Sequence, residues 1–498
     1  MRIDQWFSQL EGIPSNKPAI IFKEKNWTHE KLNNLITETA SFLQKECELK
    51  IGDRICFYGP NNPEQIILLL AAAKIGIILF PINWRLANPE IEFQVYKSKP
   101  KFIFYHSSFK NNLQLLSFEK KIQLIPVDRN IGKNKTLSTR RKKFNKIKPI
   151  KNDNLPVLLV YTSGTTGKSK GALLNQKAII CNAKMSHHAH SLKVSDNVLI
   201  FLPLFHVGGL NILLLPTLFI GGTVVLQEKF ELNDAIKFIE QYRITQIITV
   251  PTILNQMINS NLWTKIDFSS LKAISVGSTI VPLSLIKSLH AYNIPTIQIY
   301  GATETGPMAI YQTIGDAFKS EGSIGKQGKN CLVRLVDQEL KDVAQGKPGQ
   351  ILIKGENILE RYWEDENSTK ESIIDGWFLT GDVAKVDPDG NYWFVDRIKN
   401  VIISGGENIY PAELEILLSQ NQSLVEYSIV GRSDEKWGEV PVIVAVRKHA
   451  DVSSQEILEP FKGNVANYKI PKDVLFVKSL PRNALGKILI SEVKKIVN

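Results

Sequence analysis

The chain has 498 residues, 43% of them hydrophobic and 22% charged, which excludes a disordered or fibrous protein and predicts roughly two to four domains. A formal net charge of +12 raises nucleic acid, an anionic membrane or a polyanionic small molecule as partner. Cys47, Cys56, Cys181 and Cys331 contain no Cys-x-x-Cys pair, which argues against a disulfide framework or zinc site and fits a reducing cytoplasm.

At the N-terminus, Arg2, Asp4 and Glu11 leave no uninterrupted apolar core for a signal peptide. From about Asp53 short apolar runs alternate with segments of helical period, the pattern of a parallel sheet with crossover helices. Strands are expected at Arg54 to Tyr58, Pro156 to Thr162, Val198 to Leu202, Thr223 to Leu226, Gln246 to Val250, Ala273 to Val276 and Thr296 to Tyr300. Helices are expected at Pro63 to Lys74, Leu232 to Tyr242 and Pro282 to His290, the first and last opening with proline. The apolar stretches Ile66 to Ile82 and Leu210 to Leu226 are broken by Lys74 and Gly76, and by Pro216, Gly221 and Gly222. Neither supplies the ~20 clean apolar residues of a membrane span, so membrane contact is expected to be peripheral at most.

Much of the positive charge lies in one run, Arg140, Arg141, Lys142, Lys143, Lys146, Lys148 and Lys151, with Phe144 as its only aromatic residue. A surface for stacking bases would interleave several aromatics, so the run reads as a solvated linker or helix face and no nucleic-acid partner is expected. After Gly349 the segments shorten and gain turns, as in DPDGNYW. A compact terminal piece follows, with a helix after Pro411, strands near Ser428 and Val442, and a last helix at the C-terminus. The expected fold is α/β: a large multi-layer N-terminal body with parallel sheets over residues 1–396, then a small α+β C-terminal domain over residues 397–498. The boundary falls near Asp396 to Asn400.

Ligands of open α/β sheets bind beyond the carboxyl ends of the strands, and four strands end in unusual loops. The first, Tyr161 to Gly171, reads YTSGTTGKSKG. Gly164, Gly167 and Gly171 free backbone N–H groups to face an anion, Thr162, Ser163, Thr165 and Thr166 add hydroxyls, and Lys168 and Lys170 add charge. That is a phosphate cradle, but not a Walker A loop, because Thr162 stands where that motif needs glycine. The second loop, PLFHVGG, carries His206 beside Gly208 and Gly209, where a ligand could approach the backbone; a lone histidine is as readily a core residue. The third turns at Gly277, between Val276 and Thr279, and reads as a contact for a phosphate or base. The fourth, YGATETG from Tyr300 to Gly306, offers the Thr303 hydroxyl and the Glu304 carboxylate. A carboxylate beside a phosphate cradle is a usual way to hold Mg²⁺, though an N-cap with a first-turn glutamate would look the same.

Taken in order, YTSGTTGKSKG, FHVGG, YGATETG, GWFLTGD, DRIKNVIISGGENIYPAELE and PRNALGK resemble the adenylate-forming superfamily of acyl-CoA synthetases, firefly luciferase and peptide-synthetase adenylation domains, over essentially the whole chain. The resemblance implies an AMP-forming acid–CoA ligase that uses ATP, Mg²⁺ and coenzyme A. It implies that Thr162, Ser163, Gly164, Thr165, Thr166, Gly167 and Lys168 meet the ATP phosphates, that Thr303 binds the α-phosphate and that Glu304 helps hold Mg²⁺. Gly277, Ser278 and Thr279, with Tyr300, Gly301 and Ala302, would line adenine and adenylate. Asp382 and Arg397 would contact the ribose, Lys487 would be the catalytic lysine, and His206 would gate the acyl tunnel. Gly405, Gly406 and Glu407 would face the nucleotide after the small domain turns about a hinge near Asn400. Ser169 stands where the family usually has proline, and Asn400 where the hinge is commonly aspartate.

Where a peptide-synthetase domain needs an aspartate for its substrate's ammonium, this chain has Phe205 and His206. The eleven residues after Lys487 also leave no room for a carrier domain, so CoA ligation is expected over peptide synthesis. The expected acyl walls, Val207 to Leu214 and Gly301 to Ile310, carry no charge but Glu304. A second substrate carboxylate would be left unpaired there, so the expected substrate is a medium- or long-chain fatty or an aryl monocarboxylic acid. The alternatives are a 2-succinylbenzoate-type ligase and a non-catalytic homologue. The expected partners are the small acid, ATP and CoA, and the expected assembly is a monomer or homodimer.

Overall fold

The computed structural model describes the chain apart from residues 1, 2, 4, 7–9, 11, 119–120, 130–134, 142–146, 148–149, 151, 153, 163–168, 406, 420 and 483–486. It divides into two compact units, Met1–Val333 with Ile353–Phe378, and Arg334–Leu352 with Leu379–Asn498. The pivot expected near Asn400 therefore lies inside the second unit, in the turn Ile398–Asn400 that follows strand Tyr392–Arg397.

Two sheets build the first unit. In the nine-stranded one, Thr296–Tyr300, Ala273–Gly277, Gln246–Thr249, Asn197–Ile200, Thr223–Leu226 and Pro18–Phe22 lie side by side and parallel, with antiparallel strands at both ends. In the seven-stranded one, Pro156–Thr162, Ile78–Ile82, Arg54–Tyr58, Phe102–Tyr105 and Gln123–Pro126 are parallel, and Lys170–Asn175 folds back antiparallel on Pro156–Thr162. The parallel strands read as unbroken apolar runs because both faces are covered; all four residues of Thr223–Leu226 are buried.

Helix Pro63–Ile75 shows why one apolar stretch is core rather than membrane. Asn62 caps its start by accepting from the Glu64 N–H at 2.9 Å, Pro63 supplies the preset φ of a first turn, and Gly76 ends it at φ +73°. Every residue from Gln65 to Ala73 is buried. Among the described residues no helix is long and apolar enough to cross a membrane.

Two expectations are corrected here. The strand expected at Val198 to Leu202 is Asn197–Ile200, because Asn61 and Gln65 take the next backbone groups out of the ladder. Asn61 Nδ2 donates to Leu202 O at 3.0 Å, Leu204 N donates to Asn61 Oδ1 at 2.9 Å, and Gln65 Nε2 donates to Leu204 O at 2.9 Å. The basic run is not a solvated face throughout. Arg141 is buried and grips both carboxylate oxygens of Glu64, at 2.5 and 3.0 Å, whereas Lys142, Lys143, Phe144, Lys146, Lys148 and Lys151 lie outside the described residues.

In the second unit, strands Trp377–Val386 and Tyr392–Arg397 pair antiparallel. A further sheet orders Glu407–Ile409, Ile402–Ser404, Gly438–Arg447 and Leu424–Asp434, with Asp473–Phe476 parallel to Gly438–Arg447. Helix Pro411–Leu418 packs its buried Leu414 and Leu418 into a core with Ile402, Ile429, Ile443 and Phe461. The chain is thus α/β, a large body of parallel sheets with a small C-terminal domain.

Candidate active site

Strand Pro156–Thr162 hands Thr162 to the edge of one sheet, and strand Thr296–Tyr300 delivers the Tyr300 to Gly306 loop to the edge of the other. Across that junction Thr162 Oγ1 lies 3.4 Å from Glu304 Oε1 and 3.4 Å from the Lys170 carbonyl oxygen. Ser163, Gly164, Thr165, Thr166, Gly167 and Lys168 lie outside the described residues. Glu304 is 9% exposed, and the Tyr362 hydroxyl donates to its Oε1 at 2.9 Å. Burial first, and the Glu304 charge second, push the Tyr362 phenol well above its ordinary pKa, so it remains the donor at neutral pH. The Lys170 ammonium stands 5.4 Å over the Tyr362 ring, within the range of a cation–π contact.

The loop holding Glu304 is braced by asparagines from elsewhere in the unit. Asn211 Nδ2 donates to Gly306 O at 3.0 Å, Asn357 Nδ2 to Thr305 O at 3.0 Å and Met308 O at 3.1 Å, and Met308 N to Asn182 Oδ1 at 3.0 Å. Thr303 opens the 3-10 turn Thr303–Thr305, where Ala302 N donates to Thr305 Oγ1 at 2.9 Å. At Gly301 a Cβ would stand 1.8 Å from Pro307 O, so only glycine fits. Gly277 ends strand Ala273–Gly277 with Ile299 O 2.6 Å from any added Cβ. Next to it Ser278 holds φ +74°, the left-handed region that a side chain rarely occupies away from constrained sites. Ser278 and Thr279 are exposed and Tyr300 is half-buried.

His206 precedes the turn Val207–Gly209, its ring 5.6 Å from that of Phe205. The chain then winds through a π-helical stretch, Leu210–Leu214, a form frequent at functional sites. The sequence signals missed Tyr362, Asn182, Asn211 and Asn357. A usable signal exists in Asn211 alone: an asparagine inside the run GLNILLLP is buried and must find partners.

In the second unit Asp382 and Arg397 stand opposite each other in register, and Arg397 Nε lies 3.1 Å from Asp382 Oδ1. The Lys487 ammonium belongs to the same cluster. Desolvation first, then the positive charges of Arg397 and Lys399 against the opposing charge of Asp382, bring its pKa down to about 8. Gly405 and Glu407 lie apart on the hairpin of Ile402–Ser404 with Glu407–Ile409. Gly405 takes φ +60° with Trp437 Cε3 2.9 Å from where a Cβ would be, and Gly406 lies outside the described residues.

No group of three potential metal-binding side chains occurs among the described residues. A single carboxylate, Glu304, beside the Thr162 hydroxyl suits Mg²⁺, which is commonly held by one or two carboxylates together with substrate phosphates.

Residues 7–363 match the AMP-binding enzyme family, and residues 413–487 match the AMP-binding enzyme C-terminal domain. An indoleacetate–CoA ligase of Aromatoleum aromaticum is 39% identical over 524 aligned residues, covering 100% of this chain and 98% of that protein. A feruloyl-CoA synthase of Amycolatopsis is 31% identical, over 94% of this chain and 93% of that protein. The o-succinylbenzoate CoA synthetase of Bacillus subtilis, solved with its acyl-adenylate intermediate, superposes with a TM-score of 0.86 at 29% identity, covering 98% of each chain. It has also been solved with ATP and a magnesium ion, again at a TM-score of 0.86. The chain belongs to the AMP-binding enzyme family and is an AMP-forming acid–CoA ligase.

Proposed function

We propose that this ligase activates an uncharged-tailed monocarboxylic acid, aryl or fatty, as its acyl-adenylate with release of pyrophosphate, and then transfers the acyl group to coenzyme A with release of AMP. The observation carrying this reading is the convergence of Thr162 with Glu304 at the junction of two sheets, with Glu304 already engaged by Tyr362. The segments Val207 to Leu214 and Gly301 to Ile310 contain no cation, so a second substrate carboxylate would be left unpaired there. The indoleacetate and feruloyl acids named for two relatives have such uncharged tails and favour the aryl class.

In this reading the loop Thr162 to Lys168 holds the ATP phosphates and Thr303 the α-phosphate, while Gly277, Ser278, Thr279, Tyr300, Gly301 and Ala302 line the nucleotide. Glu304 and the phosphates would hold Mg²⁺, which would draw off phosphate charge. Asp382 and Arg397 take the ribose. The Lys487 ammonium offsets the charge that grows between the carboxylate and the α-phosphate. His206 gates the acyl tunnel, and Gly405, Gly406 and Glu407 face the nucleotide during thioester formation, after the small domain turns. The enzyme works in the cytoplasm, and its four cysteines are free.

A panel of acids with ATP and CoA, read as thioester by mass spectrometry, tests this. Aryl or fatty monocarboxylates should exceed dicarboxylates of matched length in kcat/KM by roughly a hundredfold. Equal efficiency would reject the neutral pocket and favour a succinylbenzoate-type substrate.

A further inference from the structure

Behind Arg397 lies a carboxylate to which no part of the reaction has been assigned. Asp396 is 3% exposed, yet it is not a buried charge without partners. Its Oδ1 accepts from the Arg397 N–H at 2.6 Å and from Asn400 Nδ2 at 3.1 Å, and its Oδ2 accepts from the Ala412 N–H at 2.8 Å. The last contact fills a local gap. Helix Pro411–Leu418 has Tyr410 at its N-cap and receives no side-chain bond from it, although a first-turn N–H such as that of Ala412 needs an acceptor. Asp396 supplies the cap from strand Tyr392–Arg397, and its negative charge suits a helix N-terminus.

One carboxylate therefore fastens three elements: the end of the strand, the turn Ile398–Asn400 and the start of the helix. The residue held most tightly is the neighbour whose guanidinium reaches Asp382 at 3.1 Å. Asn400 completes the arrangement with an amide donor. An aspartate at that position would set a second carboxylate against Asp396, where burial already raises the carboxyl pKa.

We propose that Asp396, with Asn400 as its partner, is a positioning residue of the ligation reaction: it fixes the backbone from which Arg397 meets the nucleotide. This rests on the reading of Arg397 as a nucleotide contact. It predicts that damage to the brace is felt in ATP binding ahead of the other substrates.

The test compares Asp396→Asn, Asn400→Asp and Arg397→Ala in the full-length enzyme, with KM measured separately for ATP, acid and CoA, and with a thermal melt. In Asp396→Asn the KM for ATP should rise roughly tenfold, the scale of a displaced charge-assisted contact. The KM values for acid and CoA should stay within about twofold. Asn400→Asp should move the same constant in the same direction, and it decides the matter if Asp396→Asn does not fold. A lowered melting temperature with all three KM values unchanged, or all three raised alike, would make the brace structural only and overturn the proposal. If Arg397→Ala leaves the KM for ATP unchanged, the nucleotide role of Arg397 fails first, and the positioning role falls with it.

Discussion

At Glu304 the carboxylate is buried, accepts from the Tyr362 hydroxyl and stands 3.4 Å from Thr162. Glu304→Gln keeps an acceptor for Tyr362 and removes the charge. Pyrophosphate release should fall more than about tenfold at low magnesium and recover in part at high magnesium, while the melting temperature moves by only a few degrees, since one hydrogen bond is weakened rather than orphaned. Equal activity at every magnesium level would remove Glu304 from the metal role. Lys487 carries a second residue-scale expectation. With its pKa lowered to about 8, the lysine is an ammonium below that pH and neutral above it. Acid-dependent pyrophosphate release, assayed without CoA so that thiol ionisation does not intrude, should therefore decline as pH rises through about 8. A rate that stays flat to pH 10 would mean that the ammonium is not required or its pKa is not depressed.

Among the elements, the two glycines Gly301 and Gly208 look alike in sequence and differ in space. A Cβ on Gly301 would lie 1.8 Å from Pro307 O, whereas one on Gly208 would meet nothing within 4 Å. Gly301→Ala should displace the Tyr300 to Gly306 turn and cost adenylation roughly a hundredfold or more. Gly208→Ala should stay within about twofold of the parent, and the opposite order in pyrophosphate release would contradict the loop geometry. The expected strands Arg54 to Tyr58, Pro156 to Thr162, Thr223 to Leu226 and Thr296 to Tyr300 have the observed bounds, because strands covered on both faces are written as short apolar runs between turn residues. The same logic hid the turns from Val207 to Phe219: a helix buried all round has no polar face and hence no 3.6-residue period.

Over the whole molecule, the proposed residues fall into a Thr162–Glu304 group in the first compact unit and an Asp382–Arg397–Lys487 group in the second. If the two half-reactions use different faces of the second unit, Lys487→Ala should lose adenylation by roughly a thousandfold or more. It should still convert a preformed acyl-adenylate and CoA to thioester. Loss of both steps alike in a variant that folds by circular dichroism would reject alternation. The sequence by itself determined the family and the bounds of strands such as Arg54 to Tyr58 and Thr296 to Tyr300, since helix caps and apolar runs are local devices spelled by adjacent residues. Only the tertiary structure decided the partners: Glu304 with Thr162 and Tyr362, Arg141 with Glu64, and Asp396 with the Pro411–Leu418 helix. The physical reason is that residue pattern records whether a side chain is buried, while a buried polar group chooses its partner among residues far away in the chain, which only the packing of sheets and helices brings within hydrogen-bond distance.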